Sequence, residues 1–468
     1  MHAKSQAPLC HYDVVVVGAG ISGLQAARLL KRKYSVLLLE ASDDVGGRVR
    51  NHTFANGDTV DIGGQWLGPG QDRMYRLVAE TGSQIFPLYN RGDNLLYDGK
   101  QLRRYQGTIP KLNPLALLDL AQMLKRFERM ARQLNPEAPW QHPKAQQWDS
   151  QTLYSWIERT GFTRSARDLF TVGTSAVFAG AARELSLLHA LFYAASGESL
   201  ERLLAVSGGA QQDRVHGGTW SLCQAMATEL KEVLVTGAVV TRIVQHQDGI
   251  QLQYDQAEQR TAISADKLIL AIPPNQVRRI QFEPALPAWR DQLMQRMPTG
   301  NCIKCVAKYA HAFWRDHQLS GQVASTKGPV HVVFDNGEKG KTSGLLMGFV
   351  EGDTARQWSG KPEAWQQQQV LAAFATFFGE QALDPEEVVL KNWGEEAFIR
   401  GCYAAHFTPG AWTTNGHRRY EPMGHIHWAG TEMASHYYGY MEGALQAAER
   451  ASAEVNRLLS QLQERAIK

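Results

Sequence analysis

The chain has 468 residues, 44% hydrophobic and 20% charged, and 49 Lys+Arg against 46 Asp+Glu leave a formal net charge of +3. That composition excludes a disordered chain, a collagen-like fibre and a disulfide-rich mini-protein, and so small a surplus gives no sign of a nucleic-acid partner. At roughly 150 residues per domain the length suggests about three domain-sized units.

The amino end, MHAKSQAPLCHYD, lacks the apolar core of a secretory leader. No stretch reaches about 18 uninterrupted apolar residues, so the expectation is a cytoplasmic protein with no membrane span. Residues 12–17, YDVVVV, form a β-branched run that suits a parallel strand buried on both faces. Gly18-Ala-Gly20-Ile-Ser-Gly23 follows at once. Then come an amphipathic helix over 24–33, an apolar strand over 35–39, and Glu40, 22 positions after Gly18. Gly18 permits the tight turn, Gly20 lets the backbone approach a pyrophosphate, and Gly23 lets helix and strand pack closely. The helix N-terminus offers N–H groups to phosphates, and Glu40 can accept hydrogen bonds from a ribose. An ordinary strand–turn–helix unit would need the glycine turn but not the acid, so the full order points to a dinucleotide. Gly46-Gly47-Arg48 can lay N–H groups and a fixed cation near a pyrophosphate. Asp61-Ile-Gly63-Gly64-Gln65-Trp66 is a third turn, where backbone could approach a flat ring.

Residues 110–205 read as helix-rich, with 115–134 the clearest amphipathic stretch and 135–140 a loop. Strands return over 233–283, the first of them VLVTGAVVTRIV, and again over 300–311 and 343–351; 363–378 reads as a helix, and a last helix begins near Met441. The five cysteines, Cys10, Cys223, Cys302, Cys305 and Cys402, are scattered and odd in number, which is no disulfide framework. Cys302 and Cys305 would lie on opposite faces of a strand, and His425 and His427 find no third ligand of suitable spacing, so no metal is expected. Lys304, among Ile303, Cys305 and Val306, is costly to bury unless it is partnered or its pKa falls; otherwise it faces solvent on an edge strand. Taken singly, Cys402 reads as a small buried hydrophobe, and Trp393, Tyr403 and Tyr440 read as core aromatics with one bonded polar group.

Together these motifs resemble the flavin-containing amine oxidase family, and most closely its monoamine oxidases. The markers run over nearly the whole chain: Gly46-Gly47-Arg48, Gly68-Pro69, Ala138-Pro-Trp140, Gln147-Trp148-Asp149, Gln212-Asp213-Arg214 with Gly217-Gly218, Ala271-Ile-Pro-Pro274, Lys391-Asn-Trp393, Gly401-Cys-Tyr403, Gly430-Thr-Glu432 and Gly439-Tyr-Met-Glu-Gly443. The resemblance implies a Rossmann-like α/β domain that binds FAD, discontinuous over 1–85, 205–290 and 395–468. An α+β substrate domain of mixed sheet and helices, 86–204 and 291–394, is interleaved with it, so the three units of the opening arithmetic become two. FAD would be held by Gly18, Gly20, Gly23, Glu40, Gly47, Arg48, Gly64, Gln65, Trp66, Gly430, Thr431, Glu432 and Met441, with the Val239 backbone against adenine. Cys402 matches the cysteine that forms a thioether to the flavin 8α-methyl in mammalian monoamine oxidases, although the family also has non-covalent members.

The same resemblance makes Lys304 the holder of a water beside flavin N5, Tyr403 and Tyr440 an aromatic cage for the amine, and Trp393 a neighbour of the flavin. Phe178, Leu204, Gln212, Val332 and Phe334 are the expected pocket lining. The implied reaction converts primary, or secondary, amines to imines that hydrolyse to aldehyde plus ammonia, with O2 reduced to H2O2. A homodimer is the default assembly. Three alternatives stay open: a diamine or polyamine oxidase, for which Asp335 and Glu338 could meet a distal ammonium; an L-amino acid oxidase; and a flavin-bearing regulatory protein without turnover. L-amino acid oxidases need an arginine directly after the Gly63-Gly64 turn, where this chain has Gln65-Trp66.

Overall fold

The computed structural model describes residues 9–107, 110 and 112–467. The segment read for a secretory leader lies largely in residues 1–8, outside the described ones. Two large sheets organise the chain, one of eight strands and one of seven.

At the centre of the first sheet, Cys10–Val17 runs parallel to both Gln259–Leu270 and Val36–Leu39. Val14 and Val16 enter one hydrophobic cluster and Val15 and Val17 another, so the β-branched run is covered on both faces. Each such burial stabilises the fold by roughly 1.5–3 kcal/mol. The chain then turns into the helix Ile21–Leu30, which starts three residues before the sequence-read 24–33 because the glycine turn is itself its first turn. A Cβ at Gly23 would fall 1.7 Å from the Gly18 carbonyl oxygen, so helix and strand meet at van der Waals contact there. Leu24 and Ala27 of this helix share a cluster with Ala448, Ala451 and Val455 of the long last helix, Met441–Ile467.

The run 233–244 was expected as one strand, and the structure divides it. Leu234–Val235 pairs with Val36–Leu39 at one edge of the sheet. Ala238–Gln245 lies towards the opposite edge, between Ile250–Gln256 and Gln281–Glu283. Gly237, at φ +65°, makes the change of direction, a left-handed conformation that an L side chain resists. Ile426–Trp428 adds a late strand parallel to Gln259–Leu270.

The second sheet runs Glu387–Asn392, Cys302–Tyr309, Gly344–Glu351, Val332–Asp335, Leu319–Ser325, Asp93–Tyr97, Leu102–Tyr105 in spatial order. All its pairs are antiparallel except Leu319–Ser325 with Asp93–Tyr97. Cys302–Tyr309, second from one edge and paired on both sides, is buried throughout. The stretch read as 115–134 is the helix Pro114–Ala131, where proline occupies the first turn and the Asn113 side chain caps the start by accepting from the Ala116 N–H at 2.9 Å. The expected loop over 135–140 tightens into a 3-10 turn at Pro139–Gln141. Among the described residues no helix is long and apolar enough to cross a membrane.

Candidate active site

A cavity lies where the two sheets meet. The first sheet and its turns contribute Gly18, Gly20, Glu40, Gly47, Arg48 and Val239; the second sheet and the 393–403 segment contribute Lys304, Phe349, Trp393, Cys402 and Tyr403. Gly64, Gln65, Trp66, Gly430, Thr431, Tyr440 and Met441 complete this part of the wall. Thus residues distant in sequence converge on one surface.

At the glycine-turn end, the Glu40 carboxylate accepts from the Ala19 N–H at 2.6 Å and the Ser42 N–H at 2.9 Å. Those bonds fix its orientation, with carboxylate acceptor capacity remaining for a ribose. A Cβ at Gly20 or Gly64 would meet its nearest protein neighbour at 3.8 Å, so both glycines leave open space that a ligand can fill. Gly430, at φ +97°, donates its N–H to Ser22 Oγ at 2.9 Å and ties the late turn to the first helix. The helix Met441–Ile467 begins at the wall, which places a positive dipole end there. These glycines, the locked acid and the helix start fit a dinucleotide cofactor.

Arg48 forms a two-toothed pair with Glu432, at 2.6 and 3.0 Å, and also donates to the Tyr403 carbonyl at 2.9 Å. Burial alone would raise the Glu432 pKa, but the Arg48 charge and its hydrogen bonds outweigh it and hold the carboxyl below the usual range. Glu432 itself is not on the wall. It fixes Arg48 from behind. Gly23 likewise serves helix–strand packing and is off the wall.

Lys304 is 3% exposed. Its ammonium donates to the Gly63 carbonyl at 2.9 Å and to Gln65 Oε1 at 2.5 Å. The Gln65 amide in turn donates to Asn336 Oδ1 at 2.9 Å, and the Asn336 carbonyl accepts from Arg214 at 2.6 Å. Burial pushes Lys304 down to about 7, against the pull of Asp61 towards the charged form. The ring of Tyr403 stands edge-on to Phe349 at 6.1 Å, and its hydroxyl donates to Glu351 at 2.7 Å. Tyr440 packs against Tyr437 at 5.6 Å and Tyr193 at 6.1 Å. Burial raises the pKa of both phenols and keeps them neutral. Trp393 donates from its indole to the Ile62 carbonyl at 3.0 Å. Burial pushes the Cys402 thiol up to about 12.

The expected pocket lining is displaced. Val177, Leu203 and Gln211 are on the wall in place of Phe178, Leu204 and Gln212. One residue along a helix turns the side chain by about 100°, and one residue along an extended segment sends it to the opposite side. Val332 and Phe334 are also off the wall. Phe334 packs edge-on against Trp66, whose ring reaches the cavity in front of it. Asp335 is bound to Arg315 and Trp314, and Glu338 pairs with His216, so neither carboxylate is on the wall. Sequence reasoning missed Phe349, Tyr193 and Glu351. The first and last are visible only from strand register, which sets Lys304 opposite Phe349 and Cys302 opposite Glu351.

The model of flavin containing amine oxidoreductases matches residues 21–456. The chain belongs to that family. A Mycobacterium tuberculosis protein that carries a flavin-containing monoamine oxidase name is 40% identical over 448 residues, covering 96% of this chain and 97% of its own. An L-amino acid dehydrogenase of Synechocystis is 34% identical, over 97% of this chain and 96% of its own. The solved structure of wild-type putrescine oxidase bound to putrescine superposes with a TM-score of 0.92 at 30% identity, covering 96% of this chain and all of the other. The protein is therefore a flavin-dependent amine oxidase that uses FAD and acts on small-molecule amines.

Proposed function

We propose that this oxidase acts on apolar primary monoamines, and on secondary ones, giving imines that hydrolyse to aldehyde plus ammonia or a smaller amine, with O2 reduced to H2O2. The observation that supports this reading is the character of the wall around Lys304 and the two cage rings. It includes Trp66, Ala176, Val177, Tyr193, Leu203 and Phe349, with Gln65 and Gln211 as neutral polar members. The four charged residues on the whole wall are Glu40, Arg48, Arg279 and Lys304. Glu40 sits beside the first glycine turn, Arg48 is paired with Glu432, and Arg279 donates to the Ala397 carbonyl. Among the described residues, the wall around Lys304 and the two rings carries no carboxylate to meet a second ammonium and no unengaged guanidinium to meet a substrate carboxylate; the Glu351 carboxyl is off the wall, behind the Tyr403 hydroxyl. That favours a monoamine over the diamine of putrescine oxidase and over an amino acid.

Bound FAD supplies the two-electron acceptor for the carbon α to nitrogen and returns those electrons to O2. The chain's own residues bind, orient and stabilise. Arg48 and the glycine turns provide positive charge and N–H groups for the pyrophosphate, and the start of the last helix favours negative charge on the ring system. The neutral phenols of Tyr403 and Tyr440 present π faces that attract a partly positive nitrogen. An ammonium has three donors, and Lys304 spends two on Gly63 and Gln65, which leaves one for the cavity. That N–H can hold a water or stabilise charge developing on reduced oxygen. Cys402, on the wall beside Tyr403, is assigned the thioether to the flavin. Acid precipitation tests it: the yellow colour should stay with the pellet in the wild type and move to the supernatant in Cys402→Ala.

A peroxide assay tests the reaction itself. With benzylamine, putrescine and L-phenylalanine as probes, benzylamine should have the highest kcat/KM, by about tenfold or more given the cost of an unpaired buried charge. Preference for putrescine or the amino acid would overturn the monoamine reading.

A further inference from the structure

Glu351 has no part in the reaction as derived above, yet it is the acidic group bonded to the cage. It is 4% exposed at the end of the strand Gly344–Glu351. One carboxyl oxygen accepts the Tyr403 hydroxyl at 2.7 Å, and the other is buried with no hydrogen-bond partner. Phe349, two residues earlier and so on the same face of the strand, meets the Tyr403 ring edge-on. Strand register puts this face opposite Cys302 and Lys304, both on the cavity wall. Tyr403 is therefore gripped at its ring by Phe349 and at its hydroxyl by Glu351. The ring partners of Tyr440 among the described residues are Tyr193 and Tyr437, and no hydrogen bond to its hydroxyl is seen among them. A buried carboxyl with a single partner costs stability, which sets Glu351 apart from an ordinary packing residue.

We propose that Glu351 is a positioning residue for amine oxidation: through the Tyr403 hydroxyl it fixes one ring of the cage in the plane that orients the substrate nitrogen. The inference rests on the amine-oxidase reading of this cavity. It requires an acceptor at position 351, not a charge, because the buried environment favours the neutral carboxyl. Glutamine should therefore substitute for it, and leucine should not.

The test uses the FAD-loaded enzyme in four forms: wild type, Glu351→Gln, Glu351→Leu and Tyr403→Phe, with the Glu351→Leu/Tyr403→Phe double variant as the cross-check. Anaerobic flavin reduction by benzylamine should slow about tenfold in Glu351→Leu, the size of one lost hydrogen bond, and by no more than about threefold in Glu351→Gln. Reoxidation by O2, which does not involve the cage, should be unchanged in both. Binding of tert-butylamine, which lacks an α C–H and cannot be oxidised, should weaken about tenfold in Glu351→Leu when followed by calorimetry, giving a readout apart from turnover. Tyr403→Phe removes the same bond from the other side and should match Glu351→Leu; it also serves should the leucine variant fail to fold. The double variant should be no slower than either single one. Equal losses in the glutamine and leucine variants, a parallel fall in the oxygen reaction, or losses that multiply in the double variant overturn the inference. A wild type reduced by benzylamine with Glu351→Leu equal to it sinks the Glu351 role alone, whereas a wild type that no amine reduces sinks the amine-oxidase reading as well.

Discussion

Lys304 and Glu351 lie two rungs apart on the same strand pair, and burial moves their pKa values in opposite directions. For Lys304, the unfolded chain titrates near 10.5 and the folded one near 7. Between those values the unfolded state binds a proton that the folded state lacks, so this lysine makes stability rise with pH there. Lys304→Met should accordingly gain more Tm over the wild type at pH 6.5 than at pH 9.5. For Glu351 the folded value is about 8 against 4.5 unfolded. Across that window the folded state holds the extra proton, and stability falls as pH rises. The Tm advantage of the wild type over Glu351→Gln should therefore shrink from pH 5 to pH 8, and an advantage that grows would contradict the neutral buried carboxyl. In the oxygen reaction, Lys304→Met should slow flavin reoxidation at least about tenfold, as expected for losing a positive donor at developing charge; stopped-flow mixing with O2 reads it directly. The residues legible from sequence here, Lys304, Tyr403, Tyr440 and Cys402, carry local motif signatures. Phe349 and Glu351 carry none, because their meaning comes from a partner strand more than 40 positions away.

At the scale of elements, the first strand, its glycine turn and the helix Ile21–Leu30 were legible because periodicity, turn chemistry and the acid after the second strand agree. The division of 233–244 was not, since one glycine inside an apolar run reads equally as a bulge or a turn. The side of a helix that meets a ligand is also set by distant packing, which is why Phe178 and Leu204 gave way to their neighbours Val177 and Leu203. Gly23 is the sharpest test of the first element. Its added Cβ would overlap the Gly18 carbonyl oxygen, a backbone atom that cannot move without opening the turn. Gly23→Ala should destabilise the protein by about 3 kcal/mol or more, at the upper end of overpacking costs, and lose bound flavin in step. Calorimetry and the flavin-to-protein absorbance ratio check both. A variant with normal flavin content would show that the turn tolerates repacking.

For the whole molecule, both sheets face one cavity, so ligand binding and global stability are linked. Strands of the first sheet come from 10–39, 234–283 and 426–428, and those of the second from 93–105, 302–351 and 387–392. Each sheet is thus assembled from three separate stretches of the chain. FAD that exchanges reversibly at a thousandfold over its dissociation constant would add about 4 kcal/mol to unfolding. In Cys402→Ala, removal of FAD should therefore lower a single cooperative Tm, seen alike by far-UV circular dichroism and tryptophan fluorescence; two separate transitions would indicate that the sheets unfold independently.

The cavity wall begins at Val17 and ends at Ala444. During synthesis, a ribosome that has released the glycine turn, the Lys304 strand and the cage segment around Tyr403 has still not produced the helix that closes the cofactor end of the wall. Stable loading with FAD must then follow synthesis of the helix Met441–Ile467. Until that moment the long apolar strands of both sheets have no ligand to brace them, so flavin supply in the producing cell should govern how much of the newly made protein survives.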